Sequence, residues 1–404
     1  MTDVAVYDPW SADFVADPYP ALAALRSDRP VFFHEPTNQW VVSRYADVDA
    51  LLRDRRLGRS YLHVADHEEF GREPEPEWLE PFWNLIRAGM LDVEPPAHTR
   101  LRRLVSKAFT ARRVEGLRPM IRALAEELAG KLAAEGGGDL IAEMAEPLPV
   151  NVIAEMLGVP AEDRPLLRPW SADICGMYEL NPSEETQRTA VRAAVEFSAY
   201  LRELARARRA DPRDDLITAL AQVVDEGGDR LTEDELVGTC VLLLNAGHEA
   251  TVNATGNGWW ALFRNPGELA RLRADHALVP SAVEELLRYD TPAPMFERWV
   301  LEDVEVAGTV IPRGAEIALQ FAAANRDPEV FAAPDRLDLS RHPNPHITFG
   351  LGVHYCLGAP LARIELTESF GALLRLAPGM RLAAEPEWKP GFVLRGLKAL
   401  HVQI

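Results

Sequence analysis

The stretch of sequence that decides the fold lies near the C-terminus and reads Phe349-Gly350-Leu351-Gly352-Val353-His354-Tyr355-Cys356-Leu357-Gly358. The residues that follow it, from about 359 to 376, have helical periodicity, and Pro360 suits the first turn of a helix. This pattern predicts Cys356 at a helix N-terminus, where the macrodipole and free N–H groups stabilise a thiolate. The glycines let the backbone come close to whatever lies beside that thiolate, such as an iron that it could ligate.

Other roles for Cys356 stay open when the loop is taken alone. A single cysteine is often a small buried hydrophobe. A zinc site could combine it with His342, His346 and His354, although these spacings match no common zinc pattern. A cysteine nucleophile would need a base, and His354 is only two residues away, where a strand or loop would point it elsewhere.

The composition is that of an ordinary globular protein. The chain has 404 residues, of which 47% are hydrophobic and 26% charged, and no stretch resembles a flexible linker. We therefore expect one folded domain over residues 1–404, with a β-containing part at about 1–60, a helical core at about 96–290, and the cysteine loop with its helix at about 349–376.

Charge and cysteine usage narrow the class of protein. The net charge of -19 disfavours nucleic acid and anionic membrane surfaces as partners. No window has the ~20 apolar residues of a membrane span, and residues 1–10 carry acids where a signal peptide carries bases. The three cysteines (Cys175, Cys240 and Cys356) are far apart and odd in number, which argues against a disulfide framework. We expect a soluble, cytoplasmic protein.

The hydrophobic periodicity predicts a mainly α fold with small β-sheets. A helix at 19–26 precedes a β-hairpin formed by 31–33 and 40–43, and helical patterns dominate from 96 to 263. Strands are predicted at 298–306, 309–319, 392–394 and 399–404.

One long helix should run through the middle of the molecule. Thr232 and Glu235 form a capping box, and no proline interrupts the pattern before Pro266. Residues 241–247 are apolar on nearly all sides, and they lead into Gly247-His248-Glu249-Ala250-Thr251. A packing glycine beside a solvated Glu249 would explain this segment equally well.

The cysteine loop resembles the haem-binding loop of the cytochrome P450 family, Phe-x-x-Gly-x-x-x-Cys-x-Gly, through Phe349, Gly352, Cys356 and Gly358. The resemblance implies the cytochrome P450 fold, with one haem b and with Cys356 as the axial iron ligand. It also implies that Phe349 and Gly358 belong to the haem site.

Further motifs are similar to those of the same family. Glu285 and Arg288 resemble its Glu-x-x-Arg ion pair, whose third member we predict to be Arg336, although taken alone they could be a solvated helix pair. The resemblance implies that the haem propionates are bound by His98, Arg102, Arg298 and His354, and charge-assisted hydrogen bonds suit carboxylates. His98 could instead simply cap the helix that follows Pro96.

The central helix resembles the family's oxygen-activation segment, which implies catalytic roles around Glu249, Ala250 and Thr251. Here alanine stands where the family has threonine, and the threonine comes one residue later. By family position, the substrate pocket should include Ala246, Ala250, Ala293, Pro294, Met295, Phe296, Phe392 and Val393. Residues 61–91 are expected to form a lid loop over it.

The resemblance implies a haem-thiolate monooxygenase that hydroxylates or epoxidises an apolar, oxygen-bearing small molecule with O2. Electrons would come from NAD(P)H through a ferredoxin reductase and a ferredoxin. An acidic ferredoxin would be steered to a basic segment comprising Arg100, Arg102, Arg103, Lys107, Arg112 and Arg113. A peroxygenase or isomerase with the same fold, or a haem sensor without enzymatic activity, are the alternatives.

Overall fold

The computed structural model describes residues 7–404, so residues 1–6 of the acidic N-terminal stretch lie outside the described residues. The α-helices are α1 Ala12–Ala16, α2 Tyr19–Asp28, α3 Tyr45–Arg53, α4 Glu80–Ala88, α5 Ala97–Ala108, α6 Ala111–Gly116, α7 Arg118–Ala134, α8 Pro147–Leu157, α9 Arg164–Cys175, α10 Glu184–Ala210, α11 Leu216–Gln222, α12 Glu233–Arg264, α13 Pro266–Ala274, α14 Val279–Tyr289, α15 Phe321–Ala324 and α16 Ala359–Leu376. None of the helices within residues 7–404 is long and apolar enough to span a membrane.

The strands are short and form three small sheets. They are β1 Val31–His34, β2 Gln39–Val42, β3 Leu57–Gly58, β4 Gly137–Asp139, β5 Met295–Val300, β6 Val304–Val306, β7 Thr309–Ile311, β8 Glu316–Gln320, β9 Arg381–Leu382 and β10 His401–Gln403. The expectation of a mainly α fold with small β-sheets is confirmed.

The chain divides into two compact units, and neither is a continuous segment. The first, which we call the sheet unit, consists of Met1–Leu57, Pro119–Leu148 and Ala250–Ile404. The second, the helical unit, consists of Gly58–Arg118 and Pro149–Glu249. The expectation of a single catalytic domain stays a prediction.

The sheet unit is built on four consecutive strands of a five-stranded sheet, in the order β1-β2-β8-β5. β1 and β2 form the predicted hairpin, β8 runs parallel to β2, and β5 runs antiparallel to β8 with Arg298 opposite Ile317. Apolar residues of these strands pack against Val48, Leu51 and Leu52 of α3 in one hydrophobic cluster. This packing fixes β5, which carries Arg298.

The helical unit has α10 as its longest complete helix, which begins at the N-cap Ser183 and packs against α9 through the stacked rings of Phe197 and Trp170, 5.1 Å apart. The predicted lid at 61–91 is only partly a loop, because its last third contains α4. Tyr61 is buried and stacks on Phe70 with the ring centroids 4.1 Å apart.

Most of the predicted elements form, but the strands predicted at 298–306 and 309–319 are each divided in two, as β5 with β6 and β7 with β8, and one predicted strand is absent from residues 7–404. The capping box exists, since the Thr232 N–H donates to Glu235 Oε2 at 2.8 Å and the Glu235 N–H to Thr232 Oγ1 at 3.2 Å. The strand predicted at 392–394 is wrong, because these residues form a turn. The Arg395 N–H there donates to the carbonyl of Pro292, and the Phe392 ring packs inward against Phe14 with centroids 5.0 Å apart.

Candidate functional site

The cysteine loop has the close backbone approach that its glycines suggest. Gly350 and Gly352 have φ of +66° and +70°, and a Cβ on Gly352 would lie 2.4 Å from the carbonyl oxygen of Leu52. The Cys356 N–H donates to the carbonyl of Phe349 at 3.0 Å. The loop thereby presents Cys356 three residues before the first residue of α16.

Cys356 is the thiol best suited to bind iron. Cys175 and Cys240 are buried, and burial raises the pKa of Cys240 to about 12, so that thiol stays protonated. Cys356 is partly exposed. An accessible thiol at a helix start fits the axial ligand of a haem, so the donor chemistry of this loop agrees with the group that the resemblance implies.

The zinc alternative finds no support in the geometry. Across residues 7–404, no three His, Cys, Asp or Glu side chains lie close enough together to hold a metal ion. His346 instead lies 3.0 Å from Glu284, and His342 is exposed.

Glu285 and Arg288 form the predicted ion pair on α14, and the pair is buried. The third residue of this cluster is not the arginine that we predicted. Arg288 donates to Glu285 at 2.7 and 2.8 Å, and both side chains are fully buried. The third arginine is Arg341, whose Nε lies 3.1 Å from both oxygens of Glu285. The prediction of Arg336 is therefore wrong, because its side chain is 69% exposed and only its carbonyl accepts from Arg288 and Arg341.

The four residues predicted to bind propionates lie on three segments of the chain. In the helical unit, His98 is buried and Arg102 is partly exposed, one turn apart on α5. In the sheet unit, Arg298 is buried on β5 and donates to the carbonyl of Glu297 at 2.8 Å. His354 is partly exposed and ends the turn Gly352–His354.

The central helix α12 carries an accessible side within a buried stretch. Ala246 is exposed and Ala250 partly exposed, whereas Thr251 is buried. A Cβ on Gly247 would lie 2.9 Å from Ile153 Cδ1, so the glycine allows a close approach of α8 within the helical unit. Glu249 is only partly exposed, with Oε1 3.9 Å from Nδ1 of His248.

The predicted pocket residues of the sheet unit fall into two groups. Ala293 and Phe296 are partly exposed, whereas four are buried: Pro294, Met295, Phe392 and Val393. The Met295 sulfur accepts a hydrogen bond from the Tyr7 hydroxyl at 3.6 Å, and Phe392 packs against Phe14. Because Met295 and Phe392 belong to the packed core, we correct the prediction and remove these two from the pocket.

The helical unit contains a small cavity of about 10 Å³, room for about one water molecule, which is lined by Ile86, Leu91, Asp92, Tyr178, Gly238, Val241 and Leu242. Two polar side chains thus face an otherwise apolar space. Burial raises the pKa of Tyr178, so its hydroxyl keeps its proton. Asp92 forms an ion pair with Arg59 at 2.9 Å.

Three arginines of the basic segment form ion pairs with acids of the helical unit. Arg100 contacts Asp229 and Glu235, Arg103 contacts Asp225, and Arg113 contacts Asp214. Lys107 and Arg112 are exposed.

Sequence reasoning also missed a charged cluster beside the cysteine loop, formed by Glu284, His346 and Arg363. The available signals were Glu284 next to Glu285, and His346 three residues before Phe349. Neither feature of the sequence predicts that Glu284 contacts both His346 and Arg363.

Comparison with known proteins agrees with the loop and the fold. The family model of cytochrome P450 matches residues 172–376. The chain is 40% identical to cytochrome P450 monooxygenase PikC of Streptomyces venezuelae over 97% of this chain and 92% of the relative. It is 37% identical to 6-deoxyerythronolide B hydroxylase of Saccharopolyspora erythraea, over 99% of each. The solved structure of the Bacillus subtilis bacillaene polyketide synthase cytochrome P450 PksS superposes with a TM-score of 0.89 at 36% identity, covering 98% of this chain and 99% of that one. The chain therefore belongs to the cytochrome P450 family, as a haem b monooxygenase that draws electrons from NAD(P)H through redox partners.

Proposed function

We propose that this monooxygenase hydroxylates or epoxidises an apolar small molecule that already carries oxygen, such as a polyketide, terpenoid or steroid-like compound. Two similar proteins support the class, since one is named for 6-deoxyerythronolide B hydroxylation and the other belongs to a polyketide synthase. The electrons would reach it from a ferredoxin reductase and a ferredoxin.

In this proposal Cys356 would bind the haem iron through its thiolate, and Phe349 and Gly358 of the same loop would belong to the haem site. Haem b supplies the activation of O2 when it is bound. The propionates would be held by the four residues His98, Arg102, Arg298 and His354, through charge-assisted hydrogen bonds. The buried Arg298 supports this role, because a buried cation gains from an anionic partner.

The observation that carries the substrate proposal is Ala250, which stands at the family's threonine position. Residues four apart share one side of a helix, so Ala250 lies on the accessible side of α12 with Ala246. Thr251 is turned by about 100° and is buried, so its hydroxyl does not replace the missing one. A hydroxyl or carbonyl on the substrate would then hold the proton-delivering water beside Ala250.

Coupling, the amount of product formed per NAD(P)H consumed, tests this proposal. Compounds that shift the haem from low to high spin are identified first, and then each is compared with its deoxy analogue. We expect the wild-type enzyme to couple well with the oxygen-bearing compound and poorly with the analogue. Ala250→Thr restores the missing hydroxyl and should recover coupling with the analogue.

A matched variant tests whether the added hydroxyl must stand at position 250 or can stand elsewhere on α12. Ala246→Thr adds the same group one turn earlier and should not restore coupling. Equal coupling of compound and analogue in the wild type would refute substrate assistance and leave Glu249 to hold the water.

A further inference from the structure

Three ionisable side chains of the sheet unit meet beside the cysteine loop. Arg363 of α16 donates to both oxygens of Glu284 on α14, at 2.6 and 2.9 Å, and His346 Nε2 lies 3.0 Å from Glu284 Oε2. Burial alone would raise the pKa of Glu284, but the hydrogen bonds from His346 and Arg363 lower it to about 2. Glu284 is therefore an anion held against a bidentate arginine.

This cluster is connected to Cys356 through Phe349. The Arg363 guanidinium lies over the Phe349 ring, 4.4 Å from its centroid. The carbonyl of Phe349 in turn accepts the hydrogen bond of the Cys356 N–H. Arg363 also hydrogen-bonds the side chain of Tyr355, which precedes Cys356 in sequence. Both sides of the loop are thus held by one guanidinium.

The ion pair is more than a surface contact. The Glu284 and Arg363 side chains are 30% and 35% exposed, so solvent screens them only in part. Arg363 lies on the helix that Cys356 precedes, about two turns away from it. At such distances an unbalanced charge changes the energy of a nearby redox centre.

We propose that Glu284 and Arg363 act as a charge-balanced positioning pair that fixes Phe349 at the start of the cysteine loop and sets the reduction potential of the haem. The proposal rests on the proposed role of Cys356 as iron ligand. It assigns to the pair an influence on the iron through outer-shell groups, in the way that neighbours of a ligand tune a metal.

The balance of charge predicts the sign of each change. Without Glu284, the uncompensated arginine would favour the electron-rich reduced haem, so Glu284→Gln should raise the potential. Without Arg363, the remaining carboxylate would disfavour reduction, so Arg363→Gln should lower it. The double variant restores neutrality and should return towards the wild type. A purely structural role would not give opposite signs.

The experiment is redox titration of the purified holoenzyme and its variants, with the reduced carbon-monoxide spectrum recorded for each. Arg375→Gln is the matched control. Arg375 lies on α16, as Arg363 does, but about 18 Å further along the helix, and it pairs with Glu126 of α7. It should leave the potential unchanged. Shifts of equal sign in the two single variants, or no shift in either, would overturn the proposal.

Further variants keep the test decisive if a single variant does not bind haem. Arg363→Lys keeps the charge, so this variant and the double variant should both retain the wild-type reduction potential. A reduction potential that is shifted in both variants would contradict a charge effect.

The role of Cys356 is tested separately. If the wild type shows the strongly red-shifted thiolate band and Cys356→His abolishes it, a failed potential test rejects only this inference.

Discussion

At the scale of single residues, Glu365 of α16 is a buried acid with no cation beside it among residues 7–404. Its side chain is 1% exposed, and among residues 7–404 nothing hydrogen-bonds its Oε1. Burial raises its pKa to about 8. The group is therefore protonated in the folded enzyme at neutral pH, whereas in the unfolded chain it would be ionised.

This difference makes stability depend on pH in a definite direction. Because the folded pKa lies above the unfolded one, the contribution of Glu365 is fully present below about pH 4.3 and is lost as the pH rises towards 8. We expect the wild type to lose up to about 1.4 kcal/mol of unfolding free energy per pH unit relative to Glu365→Gln across this window. Denaturant unfolding of both holoenzymes at several pH values measures it.

Glu385→Gln provides the control, since Glu385 is exposed. Its unfolding free energy should follow that of the wild type at every pH. A constant difference between the wild type and Glu365→Gln would mean that Glu365 has the same pKa in both states.

At the scale of elements, local chemistry was visible in the sequence and long-range pairing was not. The capping box and the helix after Cys356 follow from residues a few positions apart. Residues 136–138 are three glycines, a composition that does not predict a strand, yet β4 pairs there with β10 near the C-terminus. A Cβ on Gly137 would lie 2.2 Å from the carbonyl oxygen of Val402, so the glycine serves a contact that no local pattern reveals.

The arginine beside Glu285 gives a second example, because Arg336 and Arg341 lie only five residues apart in the sequence. Arg341 contacts Glu285, and it also donates to the carbonyls of Ala332 and Ala333. Which of the two guanidinium groups contacts the buried Glu285 carboxylate depends on the path of the chain between α15 and the cysteine loop, and no local pattern predicts that path. The pocket residues Met295 and Phe392 were misassigned for the same reason, since their burial depends on Tyr7 and Phe14.

This geometry predicts different costs for the two arginines. Arg341→Ala would leave Glu285 with an incomplete set of buried partners, and we expect a loss of about 3–5 kcal/mol in unfolding free energy together with poor haem retention. Arg336→Ala removes an exposed side chain and should cost less than about 0.5 kcal/mol. Thermal unfolding and haem content of the two variants check this, and equal losses would contradict it.

At the scale of the whole molecule, the charge of -19 repels an acidic electron donor unless a local cationic area attracts it. Arg100, Arg103 and Arg113 are paired with acids, so the attraction would depend on the exposed Lys107 and Arg112. We expect the rate of reduction by an acidic ferredoxin to fall with rising salt and with Lys107→Glu or Arg112→Glu. Stopped-flow reduction measures these rates.

Lys131→Glu makes the same change of charge at an exposed position on α7 of the sheet unit. It should slow reduction much less. If all three variants behave alike, the net charge and not this segment governs the encounter.

The division of the chain into two discontinuous units has a consequence for protein engineering. No single truncation can release either unit, because the sheet unit needs three segments and the helical unit two. Chimeras with related enzymes should therefore exchange residues 58–118 and 149–249 together, so that each unit keeps its own parental packing. One of the resulting crossover points falls between Glu249 and Ala250 inside α12. Any such exchange would thus take residue 249 from one parent and residue 250, at the family's threonine position, from the other, so that these chimeras separate the effect of the acid from that of its neighbour.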